Sequence, residues 1–121
     1  MLRGALAIVA SFVVLSATPA SADDRIFFHQ HHTFSRAEAR IRIQQLLDYW
    51  QERFGVTRYW IGDVAHISGR VMGVEFNGQV VVKDGEVSAE TSDPGGVFRS
   101  AAIEYVRKKL RKYLNPAYQE N

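Results

Sequence analysis

Cysteine is missing from all 121 residues. Its absence excludes disulfides, thiolate metal sites, a thiol nucleophile and a lipidated cysteine, so the fold must hold through its apolar core. Glycine-rich phosphate loops, metalloprotease helix motifs and nucleophile elbows are missing as well. Serine and histidine occur, but their spacing suggests no triad. The expectation is a protein that is not an enzyme and carries no cofactor. An excess of one charge sign is also lacking. Asp23–Asn121 holds all 13 acidic residues and all but one of the 15 lysines and arginines, a net charge of +1. Such balance leaves no electrostatic footprint for nucleic acid.

Long apolar runs are scarce, and the clearest lies at the front. Met1-Leu2-Arg3-Gly4 leads into Ala5–Leu15, broken only by Ser11, and then into Ser16-Ala17-Thr18-Pro19-Ala20-Ser21-Ala22. A basic start, an apolar stretch and a small-residue Ala-x-Ala site are the parts of a secretory signal peptide. The apolar stretch is roughly half the ~20 residues that a bilayer-spanning helix needs. Residues 1–22 therefore read as a leader removed after Ala22, and 23–121 as a single exported domain, periplasmic or secreted. No later segment is apolar enough to span a membrane.

Within that domain the residues alternate between two periodicities. Ile26–His32 is rich in aromatics and reads as a first strand. Ser35-Arg36-Ala37-Glu38 has capping-box spacing, in which Ser35 accepts from the Glu38 amide while the Glu38 carboxylate reaches back. Ala39, Ile43, Leu46, Leu47, Trp50 and Phe54 then share one helical face, with Arg40, Gln44, Asp48, Gln51 and Glu52 opposite. Gly55 stands at a left-handed cap position, so a helix is expected over 36–54.

From Val56 to Thr91 short β-type runs are punctuated by glycine. Thr57–Ile61 is followed by a Gly62-Asp63 turn, and Val64–Ser68 is closed by Gly69. Val71–Phe76 and Gln79–Lys83 flank Asn77-Gly78. Asp84-Gly85 is a two-residue hairpin signal that sets Lys83 against Glu86, Val82 against Val87 and Val80 against Ala89. A tight hairpin at Asn77-Gly78 would put Glu75 beside Val80. Either the buried face changes there or Gly78 forms a bulge in a longer strand, and the bulge fits better.

A loop at 92–96 precedes a second helix, with Ala102, Ile103, Val106, Leu110, Tyr113 and Leu114 on one face and that face wholly needed for the core. Asn115-Pro116 ends it, and the tail beyond is expected to fray. The predicted fold is α+β: strand, helix, antiparallel meander, helix, with both helices packed on one face of the sheet.

Two clusters invite a functional reading. On a strand, His29 and His31 point to one side about 7 Å apart and, with His32, could hold a divalent transition metal. The plainer reading is a solvated, histidine-rich strand face, because no carboxylate or cysteine pattern completes the set and His66 is distant in sequence. Arg107, Lys108, Arg111 and Lys112 could rest on an anionic lipid surface. Their plainer role is a solvated face near a helix end, where cations favour the dipole. Trp60, Tyr59 and Phe76 read as core rather than a ligand cage, and Asp63 as a turn residue.

His32-Thr33-Phe34-Ser35 running into Glu38-Ala39-Arg40, then Phe54-Gly55-Val56, then Tyr59-Trp60-Ile61-Gly62-Asp63, resemble the polyhydroxyalkanoic acid system family. Ile103-Glu104 matches its last helix, and the likeness runs from Ile26 to Leu114. The resemblance implies association with the bacterial storage polyester, at the granule surface, with no established enzyme activity. The positions it carries over are His32, Glu38, Trp60, Gly62, Asp63, Gly73 and Gly78, in roles as much structural as functional. Storage granules are cytoplasmic whereas the leader predicts export, so a place in the cell envelope is expected. The expected function is that of a binding or surface-associated protein, its partner a polyester granule or an anionic lipid surface. The alternative is an exported metal- or small-ligand-binding protein using the histidine cluster.

Overall fold

The computed structural model describes residues 25–119; the expected leader, 1–22, lies outside them. The elements are β1 (Arg25–His31), α1 (Arg36–Phe54), β2 (Thr57–Ile61), β3 (Val64–Val71), β4 (Val74–Lys83), β5 (Glu86–Ser92) and α2 (Phe98–Tyr113). The five strands form one antiparallel sheet in the order β1-β5-β4-β3-β2. The fold is α+β, as expected. β2 to β5 make the meander, and β1 closes it by pairing with β5. Because β1 and β2 lie on opposite edges, α1 must cross the sheet. Its 19 residues give about 28 Å of helix, enough to span four inter-strand gaps of about 4.8 Å each.

α1 begins and ends where its sequence indicates. Ser35 Oγ accepts from the Glu38 amide at 3.1 Å, and Gly55 takes φ 72° with its N–H on the Gln51 carbonyl. Only half of the capping box forms, since the Glu38 carboxylate turns to Arg42 Nε, 3.6 Å away. Ala39, Ile43, Leu46, Leu47 and Trp50 are buried against the sheet. The opposite side is not simply solvated. Arg40 stacks 4.3 Å over Trp60, whose Nε1 donates to Gln44 Oε1, while Asp48 pairs with Arg58. These polar side chains roof β2 near the sheet edge.

The sheet departs from expectation at three points. β3 does not stop at Gly69 but runs on to Val71. The turn after it is Met72-Gly73, with φ 54° and 82°, both positive as a type I′ hairpin demands. A methionine in that slot is why the pattern did not announce a turn. Lastly, β4 is one strand through Asn77-Gly78 with no bulge, its pairing with β3 unbroken from Val64↔Val81 to Val71↔Val74. Gly78 is there for space, because a Cβ would lie 2.6 Å from the Glu90 carbonyl oxygen of β5. The Asp84-Gly85 hairpin has the predicted register, Lys83↔Glu86, Val82↔Val87 and Val80↔Ala89.

The tail is not frayed as far as Tyr118. Arg42 Nη1 donates to the carbonyls of Tyr113, Asn115 and Tyr118 at 3.2, 2.9 and 2.8 Å. Its guanidinium also lies 4.3 Å from the Phe34 ring, and Tyr118 packs edge-on to Tyr113. A half-buried cation thus satisfies the last carbonyl of α2, where the helix dipole is negative, and two carbonyls of the tail beyond it.

Candidate ligand-binding cleft

Both helices lie over the inner face of the sheet, but α2 seals only part of it. Leu110, Tyr113 and Leu114 are buried, whereas Ala102, Ile103, Tyr105 and Val106 are half-buried and Phe98 and Ala101 are exposed. The expectation that its whole apolar side serves the core therefore holds for the last turn and a half and fails before it. Between the first half of α2 and the far end of the β3–β4 hairpin an apolar cleft of about 340 Å³ remains open.

Small residues make the space. Ala89 and Thr91 of β5 lie on the floor, and Ala101 and Ala102 face it from α2. Bulky residues make the walls: Trp50 and Phe54 of α1, Phe76 of β4 and Tyr105 of α2. Trp50 Nε1 donates to the Tyr105 hydroxyl at 3.1 Å, and Phe54 meets the Tyr105 ring edge-on. This cluster ties the helices together at the inner end of the cleft and satisfies the indole N–H. Burial raises the Tyr105 hydroxyl above its usual pKa, so it stays neutral. Of the lining side chains only Glu90 and Tyr105 carry an ionisable group, and the Glu90 carboxylate lies 3.8 Å from Arg25.

The family model described as "Putative polyhydroxyalkanoic acid system protein" matches residues 26–115. The chain belongs to this family. No curated protein and no solved structure matches it.

The family-motif residues do not converge on the cleft. His32 is buried; its Nδ1 accepts from the Phe34 amide and its Nε2 donates to the Lys83 carbonyl, each at 3.1 Å. With the His32 amide on the Gly85 carbonyl, it latches the end of β1 to the β4–β5 hairpin. Asp63 and Asp84, one in each of two hairpin turns, both pair with Arg36 in the first turn of α1. Glu38 supports Arg42, and Trp60 lies beneath Arg40. Gly62 and Gly73 sit in turns, and Gly78 admits close strand approach. Most of the family positions help to tie the hairpins and α1 into one unit.

The histidines separate. His29 and His31 do share the outer face of β1, opposite Ser88 and Glu86. His29 Nδ1 lies 2.7 Å from Glu86 Oε2, which holds that carboxyl below its ordinary range. His32 is spent inside the domain on both ring nitrogens. Among the described residues no group of three His, Cys, Asp or Glu side chains is placed to hold a metal ion. Arg107, Lys108, Arg111 and Lys112 are exposed on α2, away from the cleft lining. Among the described residues no helix is long and apolar enough to cross a membrane.

The cleft itself was not legible in the sequence. Phe76 and Tyr105 look like ordinary core aromatics, and only the stand-off of α2 turns them into walls. The readable hint was Ser100-Ala101-Ala102, three small residues in a row on a helix otherwise bearing larger ones.

Proposed function

We propose that the chain is a non-enzymatic binding protein of the polyhydroxyalkanoic acid system, exported to the periplasm or beyond, whose cleft takes an uncharged aliphatic chain. The observation that carries this reading is the 340 Å³ apolar cleft left open beneath α2. That volume falls within the range of about 300–1,000 Å³ usual for small-molecule sites. Apolar walls facing water favour any occupant that removes them from it. Family membership supplies the chemistry of the occupant, since a polyhydroxyalkanoic acid is an aliphatic polyester without charge along its chain. A lining with just one carboxylate, itself near an arginine, supports binding over catalysis. Export rests on the leader composition alone.

An environment-sensitive fluorescent fatty-acyl probe, displaced by methyl 3-hydroxydecanoate, tests the cleft. The wild type should bind the probe and release it to the ester. Ala102→Trp, which fills the cleft from α2, should lose the probe with its melting temperature little changed. Equal binding by that variant, or none by the wild type, defeats the proposal. The amino terminus of protein isolated from its host decides export: Asp23 is expected, and Met1 contradicts it.

A further inference from the structure

Two exposed apolar residues stand beside the mouth of the cleft, and one of them breaks the local rule of its backbone position. Met72 is the only non-glycine among the described residues with positive φ, at 54°, in a turn slot that favours Asn, Asp or Gly. It is nevertheless a long apolar side chain, 86 % exposed. Val97, just before α2, has φ −69° and ψ −18°, already helical rather than the extended backbone of a capping residue. It makes no side-chain cap bond and is 87 % exposed. Phe98 follows it, 47 % exposed, and lines the cleft with Met72. A residue that violates a local preference without a gain inside the fold points to a requirement outside it.

The charges around this tip are already matched. Arg70, just before the Met72 turn, pairs with Glu75 at 2.7 Å, and Arg99, just after Phe98, pairs with Asp93. Arg25 at the same end of β1 reaches Glu90 and Asn77. Anionic headgroups would have to break these pairs, whereas an uncharged surface would not. The basic face of α2, with Arg107, Lys108, Arg111 and Lys112, lies further along the helix.

We infer that Met72, Val97 and Phe98 form a docking tip that seats the mouth of the cleft on an uncharged aliphatic polyester surface. The inference rests on the polyester reading above; Met72 and Phe98 also line the cleft, and Val97 lies outside its lining. The apolar tip is removed from water on contact, and the neutralised rim lets it approach without desolvating a lone charge. A polyester side chain emerging at that contact would enter the cleft directly.

The test uses protein expressed from the full-length sequence and particles of poly-3-hydroxybutyrate, with phosphatidylcholine and phosphatidylglycerol vesicles as comparison surfaces. In the double variant Met72→Asn with Val97→Ser, Asn suits the positive-φ turn slot better than Met, and Ser replaces an exposed apolar side chain with a polar one. Its melting temperature should hold or rise while partition onto polyester falls about tenfold or more. Arg111→Glu with Lys112→Glu should leave that partition unchanged. The inference is overturned if the tip variant partitions like the wild type. It is also overturned if phosphatidylglycerol vesicles are preferred and the charge reversal abolishes binding. Probe uptake without particle binding sinks the tip and spares the cleft; particle binding without probe uptake does the opposite.

Discussion

At its C-terminal end α2 presses Leu110, Tyr113 and Leu114 into the core, each at most 4 % exposed, whereas at its N-terminal end Phe98 is 47 % exposed. One helix therefore serves two purposes along its length. The closed end is held by large side chains, by the Tyr113–Tyr118 contact and by the Arg42 bonds to the tail. The open end carries alanines, lacks a side-chain cap and meets α1 at the aromatic cluster of Tyr105. A helix with an apolar stripe does not have to bury that stripe; what it buries depends on what stands beneath. Here the floor of Ala89 and Thr91 is too low for half-length packing to reach, and the gap becomes a cleft.

The sharpest way to break this contrast is to truncate a side chain at each end. Leu110→Ala removes a fully buried side chain and should cost about 2–5 kcal/mol. Val106→Ala, half-buried at the edge of the cleft, should cost about 1 kcal/mol or less, because its neighbours already border open space. Equilibrium urea unfolding measures both. Equal losses would mean that α2 packs evenly and that the cleft closes in solution.

Next in size is the strap over the closed end. Arg42→Ala leaves the carbonyls of Tyr113, Asn115 and Tyr118 without their donor and should cost about 2 kcal/mol. Amide exchange over 115–119 should quicken while the β4–β5 ladder keeps its protection. If those amides exchange as slowly as before, the tail is held by Tyr118 packing alone.

What could be read beforehand follows from how local each signal is. The ends of α1 were legible because Ser35 and Gly55 act within one turn of themselves. The β4–β5 register was legible because Asp84-Gly85 fixes it by geometry. The β3–β4 turn was hidden because Met72 occupies a slot where a polar residue would have advertised it. Gly78 looked like a turn or bulge, but its reason is the Glu90 carbonyl twelve residues on, a contact that no local pattern reveals. Arg42 was invisible for the same cause, since its partners lie at the other end of the chain. The histidine cluster shows the reverse case: adjacency in sequence offered cooperation as an alternative to a solvated strand face, yet His32 turns inward while His29 and His31 turn out. The cleft depends on the balance of side-chain volumes across two layers, which no single segment encodes.

The smallest expected effect concerns Arg36, which joins the first turn of α1 to the β2–β3 and β4–β5 turns through Asp63 and Asp84. The guanidinium holds the Asp84 carboxyl below its ordinary value of 3.8. A depressed folded-state pKa contributes stability that is present above 3.8 and lost as pH falls through the lowered value. Arg36 itself is shifted upward by the same two carboxylates, so its own contribution persists until strongly alkaline pH. All three groups are solvent-exposed and screened, so the contribution is modest and salt-sensitive. In low salt the wild type should therefore lose slightly more stability than Arg36→Ala between pH 5 and pH 2, and added salt should erase the difference. Identical acid limbs in low salt would show that the bridge orders the turns without stabilising them, leaving the His32 latch and the hairpin ladders to hold this closed edge against the open cleft.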